Sequence, residues 1–237
     1  MKYLICFATC FLLAGCATLF PIQVTDPRTG IEYTVPSRLH NVPGIRELAE
    51  ACATQAGRVV HRTVEVEGYF DASLDRCDKA CWRSFALSGF QYIEFKVESF
   101  ESWDYLKESG HWRISREELD GASCHSRATE YLKKIAKRDG WEMGYCVALE
   151  NVGSLRSSYS FQNSIEEIDL EDEFGSTLIE GTTVLVDLGS GESMAEQTSY
   201  TLYARYKKNW PAQQLGCNAV GIQNYSGRFF DSVIVPK

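Results

Sequence analysis

The stretch LIEGTTVLVDLGSGESMAEQTSYTLY, Leu178–Tyr203, decides the fold class. Leu178–Val186 and Met194–Tyr203 flank Asp187-Leu188-Gly189-Ser190-Gly191-Glu192, a Gly-rich turn, so the two arms are expected to pair as a hairpin. Working outward, Val60, Val64 and Val66 alternate with His61, Thr63, Glu65 and Glu67, the period of a half-buried strand over Val59–Phe70. Gly68 within it marks a bulge or bend. Phe90–Ser99 reads as the next strand, with Ile93, Phe95 and Val97 on one face. Shorter strands are expected through Trp112 and Ile114, at Met143–Leu149, at Ser158–Phe161 and, as an edge, at Asp231–Val235.

Two segments carry the helical period instead. Ile45, Leu48, Ala49, Cys52, Ala53 and Ala56 line one face from Pro43 to Ala56, and Gly57 stops the run. Ala128, Leu132, Ile135 and Ala136 do the same between a capping Ser126 and Asp139, ahead of Gly140. Residues 71–88, with Cys77 and Cys81, read as irregular, and the acidic run Glu166–Glu173 as a solvated loop. Near the start, Ile22–Thr25 and Ile31–Val35 flank Asp26-Pro27-Arg28-Thr29-Gly30 and suit a small hairpin, docked or part of a spacer. The expectation is an α+β fold: a mainly antiparallel sheet with two packed helices, stapled by disulfides.

The N-terminus carries the most specific signal. Lys2 is followed by an apolar run from Tyr3 to Ala14, broken only by Thr9. That length suits a signal peptide and falls short of the roughly 20 apolar residues of a membrane span. Leu13-Ala14-Gly15-Cys16 resembles the lipobox of bacterial lipoproteins. The resemblance implies that the Cys16 thiol receives diacylglycerol, that residues 1–15 are removed, and that the new N-terminus takes a further acyl chain such as palmitate. Two or more chains make a stable anchor where one holds only marginally. Ala17, where an Asp would favour the inner membrane, implies an outer-membrane location facing the periplasm. The expected layout is a signal peptide at 1–15, a lipidated tether or hairpin at 16–42, and a single globular domain at 43–237. The segments ACATQAGRVVHRTVEVEGYF (51–70) and LVDLGSGESMAEQTSY (185–200) are similar to pieces of small exported Gram-negative proteins without assigned activity. They bring no catalytic residues.

Composition agrees with export. The 237 residues carry a formal charge of −8, which turns nucleic acid away as a partner. Of nine cysteines, Cys6 and Cys10 leave with the signal peptide and Cys16 is lipidated. Cys52, Cys77, Cys81, Cys124, Cys146 and Cys217 remain, an even set that reads as disulfides whose pairing the sequence leaves open. A metal site at Cys77 and Cys81 is disfavoured by the spacing and by an oxidising compartment. His40, His61, His111 and His125 have no metal-ligand spacing, so no metal or cofactor is expected.

No metalloprotease, nucleophile-elbow or phosphate-loop motif occurs. Cys124-His125 raises a thiol nucleophile, but sequence neighbours point apart, and a disulfide is the stronger reading. The acidic run Glu166–Glu173 lacks the turn residues of a calcium loop. Lys133, Lys134, Lys137 and Arg138 suit the C-terminal end of a helix, with anionic lipid or cell-wall carboxylates as the alternative. Trp82, Trp103, Trp112, Trp141 and Trp210 are read mainly as core, with sugar stacking as the alternative. The expected function is a non-enzymatic binding or assembly module held at the membrane by its lipid, with an envelope protein or peptidoglycan as partner. The alternatives are an envelope hydrolase with a site assembled in space and an acidic inhibitor of a cationic target.

Overall fold

The computed structural model describes residues 21–98, 106, 108–119, 121–207, 210–223 and 229–237. The signal-peptide and lipobox residues, Cys16 among them, and Trp103 lie outside the described residues. In chain order the elements are β1 (Gln23–Thr25), β2 (Glu32–Thr34), α1 (Ile45–Thr54), β3 (Gly57–Val60), β4 (Val64–Val66), β5 (Gly68–Asp71), α2 (Lys79–Ser88), β6 (Tyr92–Val97), β7 (Gly110–Glu117), α3 (Ser126–Asp139), β8 (Cys146–Val152), β9 (Tyr159–Asp169), β10 (Thr177–Asp187), β11 (Ser193–Ala204), β12 (Gln213–Gly216), α4 (Phe229–Val233) and β13 (Ile234–Pro236). The fold is α+β, rich in antiparallel strands, with four helices rather than two among the described residues.

The chain packs as two compact units. The first draws on Met1–Arg58, Ile165–Thr182 and Gln197–Ser226; the second on Val59–Ser164, Thr183–Glu196 and Gly227–Lys237.

In the first unit β1 and β2 pair antiparallel, with Val24 opposite Tyr33. The turn closes through Gly30 N–H donating to Asp26 O at 2.8 Å, at a positive φ of 71° that glycine adopts without strain. Val24 and Val35 are buried with Ile45, Leu48, Ala49, Cys52 and Ala53 of α1, so the hairpin docks on the helix rather than forming a loose spacer. Arg28 reaches from the turn to donate to Ala53 O and Ala56 O at 3.2 and 3.0 Å. It thus satisfies carbonyls that the end of α1 leaves open. At the other end Gly44 has φ 76°, and a Cβ there would strike Leu170 and Leu202. Cys52 and Cys217 form a disulfide, tying α1 to a 3-10 turn at Cys217–Val220. Leu202 of β11 faces Leu215 of β12. The acidic run is not a free loop. Glu166–Asp169 extend β9, and Asp172 organises the turn to β10 by accepting from Phe174 N–H at 2.9 Å and Ser176 N–H at 3.0 Å.

In the second unit β5 lies between β9 and β6 and runs parallel to both, with Tyr69 opposite Ile93 and Phe70 opposite Ser160. β6, β7 and β8 continue antiparallel, with Phe95 facing Trp112 and Ile114 facing Leu149. The segment 71–88, expected to be irregular, contains α2. Asp78 caps it, its carboxylate accepting from Ala80 N–H at 2.8 Å and Cys81 N–H at 3.3 Å, and Gly89 ends it at φ 81°. Trp82, Phe85 and Ala86 recur at helical spacing and are buried. Burial of each large side chain contributes about 2 kcal/mol. The helix α3 keeps its expected stripe, but His125 rather than Ser126 caps it: Nδ1 accepts from Ala128 N–H at 3.1 Å. The single strand expected over Val59–Phe70 is broken into β3, β4 and β5, and Val60 faces solvent while Val64 and Val66 are buried. Gly68 sits at the last break, against Tyr92, where a Cβ would collide with the β6 backbone. At the C-terminal end, α4 precedes a short strand, β13, that pairs parallel with β4. Disulfides join Cys77 to Cys81 and Cys124 to Cys146.

Candidate functional site

A cleft of about 730 Å³ opens in the second unit between α2, β5, β6 and α4. That lies within the range of about 300–1,000 Å³ typical of ligand sites. Its floor is apolar and pre-formed: Tyr69 from β5, Phe85 from α2, Ile93 from β6 and Phe230 from α4. Tyr69 stands edge-on to Phe90 and to Phe161, each at 5.2 Å, which fixes its ring. The rim is acidic. Asp71, Asp75, Asp78 and Asp231 line it, with Arg76 as the single cation. No ion pair among the described residues involves any of the four carboxylates. Leu87, 60 % exposed, adds an apolar wall at the mouth.

Tyr69 is only 7 % exposed, and its hydroxyl meets no hydrogen-bonding group among the described residues. Burial, then the nearby Asp71 charge, pushes its pKa far up, so the phenol stays a neutral donor. Because Tyr69 lines the cleft, this hydroxyl is available as a donor to a group that enters it.

A second, smaller cleft of about 350 Å³ brings Arg113, Arg116 and Arg156 together with Tyr92 and Glu67. Each guanidinium already has partners within the protein, although Arg116 Nε is buried without a hydrogen bond among the described residues. Arg113 clasps Glu94 Oε1 at 3.0 and 2.6 Å, Arg156 pairs with Glu67 above the Tyr92 ring, and Arg116 donates to Phe85 O and Ala86 O while lying 4.6 Å from the Tyr145 ring centroid. Glu94 is fully buried and also accepts from Arg156 N–H, Ser157 N–H at 2.8 Å and the Ser157 hydroxyl at 2.5 Å. Burial raises its pKa, but the Ser157 hydroxyl, the Arg156 N–H and Arg113 outweigh burial and hold the carboxyl below its ordinary value. The cluster is a lock that fastens the segment before β9 onto β6. In the first unit the Tyr200 hydroxyl lies 2.6 Å from both Gln55 Oε1 and Glu180 Oε2, and burial followed by Glu180 pushes its pKa up.

The residues singled out from sequence fall mostly outside the large cleft. Of the six body cysteines, Cys81 lines it; all six stand in disulfide pairs, Cys124 included, so Cys124 offers no thiol beside His125. His40 Nε2 bonds Val35 O at 2.9 Å, and His111 lies by the Phe70 ring. No group of three or more His, Cys, Asp or Glu among the described residues is placed to hold a metal ion. Lys133, Lys134 and Lys137 are exposed on α3, and Arg138 pairs with Asp139. Trp82 is core, Trp112 and Trp141 pack against it, and Trp210 is exposed with Lys207 Nζ 4.5 Å from its ring.

Sequence reasoning missed Tyr69, Phe230, Asp231 and Glu94. The available signal was Asp78 with Gly89, which frames a helix and would have turned Phe85 inward beside Tyr69. No protein-family model, curated protein or solved structure matches this chain.

Proposed function

We infer that the protein is a lipid-anchored envelope lipoprotein that works as a non-enzymatic binding module, with the large cleft of its second unit as the receiving site. The observation that carries this reading is the cleft itself: an aromatic floor, a rim of carboxylates that make no ion pair among the described residues, and the Tyr69 hydroxyl, which makes no hydrogen bond among them. The lipobox residues Leu13–Cys16 and the three disulfides support an exported, anchored chain. Anchoring acts by confinement: a partner in the same membrane or in the adjacent cell wall meets the cleft at a raised effective concentration. On this reading the protein sits at the outer membrane facing the periplasm, and its partner is an envelope protein or peptidoglycan.

The test combines metabolic lipid labelling with cross-linking and mass spectrometry in intact cells, comparing wild type with Cys16→Ala. Loss of label together with loss of a defined partner is the expected outcome. Label that survives the substitution removes the lipoprotein reading. Absence of any enriched partner in wild type removes the binding-module reading.

A further inference from the structure

We propose that the large cleft binds a basic peptide segment in which lysine or arginine alternates with apolar residues. The proposal rests on the binding-module reading and names the partner's chemistry.

The rim supplies the charge argument. Asp75 and Asp231 are exposed and make no side-chain hydrogen bond among the described residues. Asp71 uses Oδ1 for Ser73, and Asp78 uses Oδ1 for Ala80 and Cys81, and neither Oδ2 accepts a hydrogen bond among the described residues. Four carboxylates against Arg76 alone make the mouth strongly negative. Such a mouth repels nucleic acid and anionic lipid and attracts cations. The carboxylates are not gathered as ligands for one metal ion. They are spread around a rim, which matches several cations spaced along a chain better than a single point charge.

The floor supplies the apolar argument. Phe230, partly exposed, and Leu87, exposed, offer apolar surface to the aliphatic stems of such side chains. The Tyr69 hydroxyl then has an assigned role: it donates to a backbone carbonyl of the bound segment.

The test uses the full-length lipidated protein in nonionic micelles and two fluorescein-labelled probes, Lys-Leu-Lys-Leu-Lys and Glu-Leu-Glu-Leu-Glu, read by fluorescence anisotropy against empty micelles. The lysine peptide is expected to bind and the glutamate peptide not to bind. Asp75→Asn and Asp231→Asn are each expected to weaken binding about two- to five-fold, as exposed charges do, and the double variant about ten-fold. Tyr69→Phe is expected to weaken it about two- to ten-fold while leaving its salt dependence intact. Glu150→Gln, in the smaller cleft, leaves it unchanged. Equal binding of both peptides, no binding of the lysine peptide, or indifference to the Asp75/Asp231 double variant overturns the proposal. A partner captured in cells that still binds that double variant overturns the assigned site and leaves the binding-module reading standing.

Discussion

Glu94→Gln is the sharpest perturbation of the second unit. The side chain keeps its size, but one acceptor oxygen becomes an amide donor. If the amide takes the Oε1 position it faces the Arg113 guanidinium and the Arg156 N–H, which are donors only. If it takes Oε2 it faces Ser157 N–H; the Ser157 hydroxyl can turn to accept, but the backbone N–H cannot. The better choice therefore strands one buried N–H, at about 1–3 kcal/mol, and weakens a charge-assisted clasp on Arg113 of about 1.5–3 kcal/mol. A loss near 3 kcal/mol follows, in line with breaking a buried ion pair. In urea unfolding with disulfides intact, a slope of about 3 kcal/mol/M turns this into a midpoint about 1 M lower. Adding Arg113→Met removes the guanidinium that has lost its charged partner and should recover part of the loss. The pH dependence has a definite sign. The folded carboxyl lies below its ordinary value of 4.5 and binds fewer protons than in the unfolded chain. Its stabilisation is complete above about 4.5 and is lost as pH falls through the lower folded value. Wild type should therefore show a steeper acid loss than Glu94→Gln. A midpoint within about 0.2 M of wild type, or identical acid slopes, would refute this account of the lock.

Two more predictions concern stability. Removing the Cys52–Cys217 pair as Cys→Ala, with a sequence separation of 165, should cost about 5 kcal/mol by loop entropy, against about 2 kcal/mol for Cys77–Cys81, separated by 4; comparable losses in paired urea titrations would argue against entropy as the cause. His125 must stay unprotonated at Nδ1 to cap α3, and burial, then Arg127, lowers its pKa below the ordinary 6.5. Its contribution is complete above about pH 6.5 and lost as pH falls through the lower folded value. His125→Asn, which caps without titrating, should flatten the stability curve between about pH 6.5 and 5; an unchanged curve would remove His125 as the titrating cap.

What could be read from the chain was what repeats along it. The arms 178–186 and 194–203 announce themselves through their turn, and β10 and β11 form around it. The stripes of α1 and α3 were equally plain. The helix α2 was obscured because it is short and the Cys77/Cys81 pair at its start suggested irregular structure, although Asp78 and Gly89 mark both ends. Glu94 illustrates the harder limit. Alternation along YIEFKV assigns it to solvent, but β6 is a central strand with both faces covered, and Arg113 together with the partners from 156 and 157 makes its burial tolerable. The cleft was illegible for a similar reason: Tyr69, Phe85 and Phe230 are brought together by β5, α2 and α4, and Phe230 lies more than 140 residues beyond Phe85. Disulfide pairing was likewise a property of the fold.

The wide separation of Cys52 and Cys217 sets a schedule for the nascent chain. Synthesis delivers Cys52 first, and Cys77, Cys81, Cys124 and Cys146 all appear before its partner. Oxidation of the growing chain therefore offers Cys52 four wrong choices ahead of the right one. Cys77 and Cys81 close on each other within a single turn of chain, and Cys124 meets Cys146 across one helix, so both can be withdrawn from competition early. Faithful maturation then becomes a race between these two local closures and capture of Cys52, with thiol-disulfide exchange as the repair route for chains that lose it.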